Sequence, residues 1–159
     1  MKCTPAVKAE AASPPVHFKT LLVPTDFSDC SLVALDYALA LAIQFHAKIV
    51  LLHIVEPLAI LPVLDEIGDR QVRAGRERLA ALCRKRIGNR VPFEVLVRMG
   101  RAHSEIPDTA KALDADLIVI ATHGNTGLRE ALLGSTAQRV VTQAHCPVLT
   151  VRPPPEEGG

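Results

Sequence analysis

The stretch LIVIATHGNTGLREALLGSTAQRVV, Leu117–Val141, decides the fold of this chain. It begins with an apolar run that reaches Ala121, continues through turn-forming residues, and ends in a helical pattern after Gly134. An unbroken apolar run is typical of a strand buried on both faces of a parallel sheet. The chain has only nine glycines, and three of them lie in this loop. The loop therefore joins the carboxyl end of a buried strand to the start of a helix.

The same alternation of strand and helix continues outward along the chain. Apolar runs predict five strands, at 19–23, 47–57, 91–100, 115–124 and 146–153. Helical spacing of apolar residues predicts four helices between them, at 31–46, 65–88, 103–113 and 135–144. We expect Pro24 to end the first strand, and Ser28 or Asp29 to cap the first helix. Alternating elements of this kind predict an α/β fold, a three-layer α/β/α sandwich around a parallel sheet.

Composition limits the domain count and the classes of partner. The chain has 159 residues, 48% of them hydrophobic and 22% charged, with a net charge of +1. This predicts one domain over residues 18–152, with flexible tails at 1–17 and 153–159 that are rich in proline or small residues. A net charge this small provides no strong electrostatic attraction to nucleic acid or to a membrane surface. The sequence has no apolar run of membrane-spanning length.

Four cysteines are scattered along the chain, at Cys3, Cys30, Cys83 and Cys146. None belongs to a CxxC pair or lies beside a plausible set of histidine ligands. Scattered single cysteines are typical of reduced proteins, so we expect a cytoplasmic protein without a metal site built on them. Cys30 and Cys83 fall on predicted helices, where packing or surface positions explain them better than redox sensing.

The glycine-containing loop has the chemistry of a phosphate-binding site. Gly124 and Gly134 allow the backbone to approach a bulky ligand closely. Ser135 and Thr136 stand at the helix start, where free N–H groups and the helix dipole favour an anion. The loop matches neither the Walker A motif nor the GxGxxG fingerprint. The alternative reading is a turn followed by a serine cap.

A second group of polar residues follows the first strand. Thr25 and Asp26 come directly after the apolar run, at the same edge of the predicted sheet as the glycine loop. The Asp26 carboxylate is placed to accept hydrogen bonds from a ribose or from an adenine amino group, or else to cap the first helix. Ligands of doubly wound sheets bind at this carboxyl edge.

These segments together resemble the universal stress protein family. The resemblance covers 18–152 and rests on LLVPTDFS, AKIVLLHIVEP, VRMGRAHSEI, CPVLTVRP and the Leu117–Val141 stretch, in the family's order. It implies a Rossmann-like fold of the adenine nucleotide alpha-hydrolase type, with strand order 3-2-1-4-5. It also implies a function in stress response or signalling.

The resemblance further implies an ATP site. Nucleotide-binding members of the family carry the motif Gly-x2-Gly-x9-Gly followed by Ser or Thr. This chain has Ala121 in place of the first glycine of the motif. We expect nucleotide binding to survive the added methyl group. The implied contacts are Pro24, Thr25 and Asp26 at the adenosine, the Ile54 backbone and Gly100 at the base, and Gly124, Gly134, Ser135 and Thr136 at the phosphates. A Mg²⁺ or Mn²⁺ ion is compatible with this site because it offsets the phosphate charge.

The sequence offers no identifiable catalytic set. His123 and Arg129 lie in the phosphate loop, but exposed loop residues of this type are common without catalysis. His53 lies inside an apolar strand and is expected to be a core histidine with a satisfied hydrogen bond. We therefore predict a nucleotide-binding module rather than an enzyme, although slow ATP hydrolysis remains compatible with it.

Other classes of protein with this architecture fit less well. A response-regulator receiver needs an aspartate at the end of the third strand, which here reads VRMG. A flavodoxin-like domain needs a Ser/Thr-rich loop after the first strand, and an ATP pyrophosphatase needs a Ser-Gly-Gly sequence in the same loop. This chain has PTDFSD at that position, which fits neither class. The remaining alternative is a dimeric interaction module in which the nucleotide is absent or only structural.

The last strand, Pro147–Val151, predicts a homodimer. It is expected at a sheet edge, where exposed backbone groups favour pairing with another strand. In the resembling family this strand pairs with its counterpart in a second subunit, which gives a two-fold dimer. A further, unknown protein partner is expected, and the N-terminal extension, longer than is usual for the family, is either a mobile tail or a partner-binding arm.

Overall fold

The computed structural model describes residues 15–57, 65–123 and 133–152. This part of the chain forms five strands and four helices in strict alternation: β1 (Thr20–Pro24), α1 (Asp29–Phe45), β2 (Lys48–Val55), α2 (Asp65–Arg86), β3 (Phe93–Met99), α3 (Ala102–Ala112), β4 (Leu117–Ala121), α4 (Ser135–Gln143) and β5 (Val148–Val151). All neighbouring strands are parallel, in the order β3-β2-β1-β4-β5. The predicted sandwich and the predicted strand order are both confirmed.

The strands form two separate cores because alternate side chains point to opposite faces of the sheet. On one face, Leu21, Ile49 and Val119 pack against the buried residues of α1 and α2. On the other face, Leu22 and Ile118 pack against α3 and α4. No helix in the described residues is long and apolar enough to cross a membrane.

The sheet opens between β1 and β4 at its carboxyl edge. All five residues of β1 pair with β2, but only Leu21 and Leu22 pair with β4. The strand ends at Pro24, as predicted, and Pro24 itself still pairs with Leu52. Successive residues of a strand direct their backbone N–H groups to opposite neighbours, and the Thr25 N–H donates to the Leu52 carbonyl on the β2 side. The position of the N–H that Pro24 lacks therefore faces β4. The chain thus diverges from β4 at Pro24, the residue that has no backbone N–H to donate to that strand.

Helix and strand ends differ from the predicted ones by a few residues. The α1 helix begins at Asp29, two residues early, because the Ser28 hydroxyl caps it by accepting from the Ser31 amide. The α2 helix ends at Arg86, and both following amides bond to the Cys83 carbonyl. The β4 strand ends at Ala121, where β1 has already diverged, and Pro147 precedes β5 instead of forming part of it.

Cys83 is a packing residue, as its position on a predicted helix suggested. Its thiol is fully buried among the residues of α1 and α2, and burial raises its pKa to about 11. The thiolate is the reactive form, so we expect alkylation by iodoacetamide at about pH 8 to label the partly exposed Cys30 well before Cys83. Mass spectrometry of the labelled peptides measures both rates. Equal rates in the folded protein contradict this assignment, whereas unfolding in guanidinium should remove the difference.

Candidate functional site

A crevice of about 630 Å³ lies at the carboxyl edge of the sheet, where β1 and β4 separate. Its position is the one at which strand order reverses, the usual ligand site of doubly wound sheets. Eight of the ten predicted site residues line it: Pro24, Thr25, Asp26, Ile54, Ala121, Gly134, Ser135 and Thr136. Gly124 lies outside the described residues. Gly100 is not among the lining residues and instead precedes α3 with φ 146°, packed against Glu105.

The loop between β1 and α1 forms the acidic side of the crevice. Thr25 is buried, its amide donates to the Leu52 carbonyl, and its hydroxyl lies 2.8 Å from the Ser31 hydroxyl. The Asp26 carboxylate accepts from the backbone amide of Ser28 at 3.0 Å and also from the Ser28 hydroxyl. These local bonds fix the carboxylate beside the first turn of α1. Ser28 and not Asp26 is the N-cap residue of α1, so Asp26 supports the cap through Ser28 and also lines the crevice.

The amino end of α4 forms the opposite, electropositive side. Gly134 is the N-cap residue and has no side chain with which to cap the helix, so the amide groups of the first turn receive no hydrogen bond from an N-cap side chain. The first turn carries no acidic residue. Because the helix dipole is positive at this end, and because Ser135 and Thr136 add hydroxyls, this surface favours an anion.

Gly134 is required by the chain itself, which the sequence did not show. A Cβ atom at this position would lie 2.7 Å from the backbone oxygen of Thr122, closer than two such atoms approach. The same oxygen accepts from the Gly134 amide at 2.7 Å. The backbone after β4 therefore passes so near α4 that only glycine fits, and this contact sets the position of the first helical turn.

An apolar wall completes the crevice. It consists of side chains from the α3–α4 face of the sheet, from α3 and from the residue before the α4 N-cap, namely Leu52, Ile54, Ile120, Ile106 and Leu133. Such a wall suits a flat apolar group, while the polar groups at each end fix its orientation.

Several lining residues were not predicted as site residues: Ser31, Glu56, Thr122 and Gln138. Glu56 is the clearest omission, because it follows β2 in the same way that Asp26 follows β1. Its carboxylate accepts from the Ala102 amide at 3.3 Å and so joins the end of β2 to the start of α3. The rule that ligands meet the carboxyl ends of parallel strands would have found it.

The histidines considered for catalysis lie in different places. His123 lines the crevice, and its Nδ1 atom lies 2.9 Å from the Thr122 hydroxyl. Arg129 lies outside the described residues. His53 is partly buried on β2 and does not line the crevice; its ring nitrogen is hydrogen-bonded to the Thr25 carbonyl, as expected of a satisfied core histidine. The described residues contain no cluster of three or more potential metal-ligating side chains.

Fold and crevice together define a doubly wound α/β domain whose ligand site combines an apolar wall with an anion-favouring helix end. The sequence model of the Universal stress protein family matches residues 17–152, and the chain belongs to that family. It is 37% identical over 147 residues to universal stress protein MJ0531 of Methanocaldococcus jannaschii, which covers 88% of this chain and 85% of that protein.

Solved structures give the same result. The structure of MJ0577 from Methanocaldococcus jannaschii superposes with a TM-score of 0.79 at 27% identity, covering 87% of this chain and 99% of the other. A universal stress protein solved in complex with cAMP superposes with a TM-score of 0.64 at 26% identity, covering 86% and 98%. The fold and family inferred from the sequence are therefore confirmed.

Proposed function

We propose that this chain binds an adenine nucleotide, ATP in particular, in the crevice between β1 and β4. One observation carries the proposal: a single crevice brings together a carboxylate loop, the amino end of α4 with its glycine N-cap, and an apolar wall. A nucleotide has the matching set of groups, namely a ribose with hydroxyl donors, an anionic phosphate chain and a flat base.

Each predicted residue receives a role in this proposal. Asp26 accepts from the ribose, the Ile54 backbone meets the base, and Ser135 and Thr136 donate to the phosphates. The phosphate role of Gly124 and the base-enclosing role of Gly100 remain predictions from the family pattern. Ala121, which is buried and lines the crevice, adds one methyl group to the floor beneath the phosphates. A Mg²⁺ or Mn²⁺ ion would accompany the phosphates as part of the ligand.

Similarity to a protein solved with a bound nucleotide supports an adenine nucleotide as the class of ligand. The relative solved with cAMP carries an adenine nucleotide, and it shares the fold over nearly the whole described chain. We therefore assign this chain to the nucleotide-binding branch of the family. By the same reasoning its cellular function is a cytoplasmic one in stress response or signalling, with a protein partner that the chain does not reveal.

We propose binding without specialised turnover. Hydrolysis of ATP requires a positioned water and groups that stabilise charge on the transferred phosphoryl group. Among the described residues that line the crevice His123 is the one histidine, and its Nδ1 atom is hydrogen-bonded to the Thr122 hydroxyl. The second candidate function, a dimeric interaction module with an absent or structural nucleotide, is favoured by the edge position of β5. Both functions are compatible with a homodimer formed through β5.

Calorimetric titration with ATP and Mg²⁺ tests the proposal. We expect a dissociation constant of about 10 µM or below, one site per chain, and weaker binding of GTP. The variant Asp26→Ala should weaken ATP binding about tenfold, because it removes a charged acceptor from the ribose. The control is Asp36→Ala, which removes an exposed carboxylate paired with Arg86 on the far side of α1. A folded native chain that binds no adenine nucleotide overturns the proposal and favours the interaction module.

A further inference from the structure

His53 connects the helical layer on one side of the sheet to the crevice on the other. Its Nδ1 atom lies 2.9 Å from the backbone oxygen of Thr25, a crevice residue. A carbonyl oxygen only accepts, so Nδ1 carries the hydrogen and donates it. The imidazole itself lies on the face that α2 covers, beside Gly75. A side chain outside the crevice thus fixes a backbone group inside it.

The hydrogen bond determines how the peptide group between Thr25 and Asp26 is oriented. This peptide is trans and planar, as no cis bond occurs among the described residues. Its carbonyl points to His53, so the N–H of Asp26 in the same peptide points the opposite way. The Thr25 amide is held separately by the Leu52 carbonyl at 2.8 Å. Both sides of Thr25 are therefore anchored to β2.

The next residue of the loop is held by the same histidine. Phe27 has φ 64°, a left-handed conformation that is unusual for an aromatic residue and persists only where its surroundings enforce it. Its ring centroid lies 4.6 Å from that of His53, and the Arg78 guanidinium lies over the ring at 4.0 Å. The His53 ring on β2 and the Arg78 guanidinium on α2 thus support the unusual turn that follows Asp26.

The α2 helix leaves space for the imidazole at one position. A Cβ atom at Gly75 would lie 3.2 Å from the Cδ2 atom of His53. Glycine disfavours the interior of a helix, where alanine is better. Its presence in the middle of α2 has a packing reason, namely the position of the His53 ring.

We propose that His53 is a positioning residue of the nucleotide site, which holds the loop Thr25–Phe27 in the geometry that receives the adenosine part of the ligand. The proposal rests on the proposed nucleotide-binding function and extends it to a residue that makes no contact with the crevice. Loss of the Nδ1 donor leaves the Thr25 carbonyl unpaired and frees the peptide before Asp26 to rotate. The phosphate end, formed by α4, does not depend on this hydrogen bond.

Two substitutions at His53 separate the hydrogen bond from the volume of the side chain. The amide nitrogen of asparagine occupies nearly the place of Nδ1, so His53→Asn retains a donor, whereas His53→Leu keeps the bulk and loses it. We expect His53→Leu to weaken ATP and AMP binding about tenfold and His53→Asn to weaken it less than about threefold. Binding of inorganic triphosphate should be unchanged in both. His145→Leu, at an exposed histidine beyond α4, is the matched control.

Hydrogen exchange tests the loop itself, without any nucleotide. The amides of Phe27 and Ser28 donate to the Thr25 hydroxyl and to the Asp26 carboxylate, both at 3.0 Å. They should exchange about tenfold faster in His53→Leu but not in His53→Asn, while the amides of β4 keep their native rates. Near-native melting of both variants checks that they fold.

The outcomes of these measurements are distinguishable. Equal ATP affinity of His53→Leu and the native chain overturns the positioning role, as does equal loss in both variants or a matching loss of triphosphate binding. A native chain that binds no ATP overturns the proposed function instead. The exchange rates then still decide whether His53 holds the loop.

Discussion

Gly134→Ala is expected to abolish measurable ATP binding while the chain still folds. The new Cβ would lie 2.7 Å from the Thr122 oxygen, and this neighbour is backbone that cannot rotate away. The amino end of α4 must move outward, which lengthens the hydrogen bond from the Gly134 amide to the same oxygen. Anion binding at a helix end depends on the direction of its first amides. We expect affinity to fall at least about 30-fold, or about 2 kcal/mol, in a calorimetric titration.

Gly68→Ala is the matched control for this prediction. Here a Cβ would meet the end of the Met99 side chain at 2.9 Å, a flexible and half-exposed group that can turn aside. Alanine is also favoured over glycine in a helix interior by about 1 kcal/mol. The control should bind ATP as the native chain does and melt at the same or a higher temperature. Native affinity in Gly134→Ala would show that the contact with Thr122 does not set the phosphate site.

Most of the fold could be predicted because it depends on local pattern. The strands of a parallel sheet buried on both faces are continuous apolar runs, as at Leu117–Ala121, and each is separated from the next by a helical pattern. The carboxyl-edge rule then placed Asp26 and Ser135 at one site although more than a hundred residues separate them. Strand order followed from the family resemblance, not from the pattern.

The details that the sequence did not give are those that depend on a contact between distant residues. The nearest atoms to a Cβ at Gly134 belong to Thr122, and the partner of His53 is a backbone carbonyl in the loop after β1. Neither contact has a local signature.

The second large effect is expected at the free edge of β5. This strand ends the sheet, with β4 on one side and no strand on the other in the described residues. The carbonyls of Pro147 and Val151 accept from β4, so the backbone groups of the alternate residues, Val148 and Thr150, point to the open edge. Antiparallel pairing of two such edges would join Val148 of each chain to Thr150 of the other, which gives the two-fold homodimer proposed above.

Thr150→Pro should therefore convert the dimer to a monomer without unfolding the sheet. Proline removes the outward N–H at this position, and it leaves the bonds of Pro147 and Val151 to β4 in place. Because the dimer is two-fold symmetric, the hydrogen bond donated by residue 150 is lost from both chains at the interface. Sedimentation velocity should show the native chain at about 34 kDa, twice its mass of 17.1 kDa, and the variant near 17.1 kDa. Thr150→Val, which keeps the N–H, should remain dimeric. A Thr150→Pro variant that stays dimeric with native circular dichroism would overturn the predicted pairing of Val148 with Thr150 across the two β5 edges.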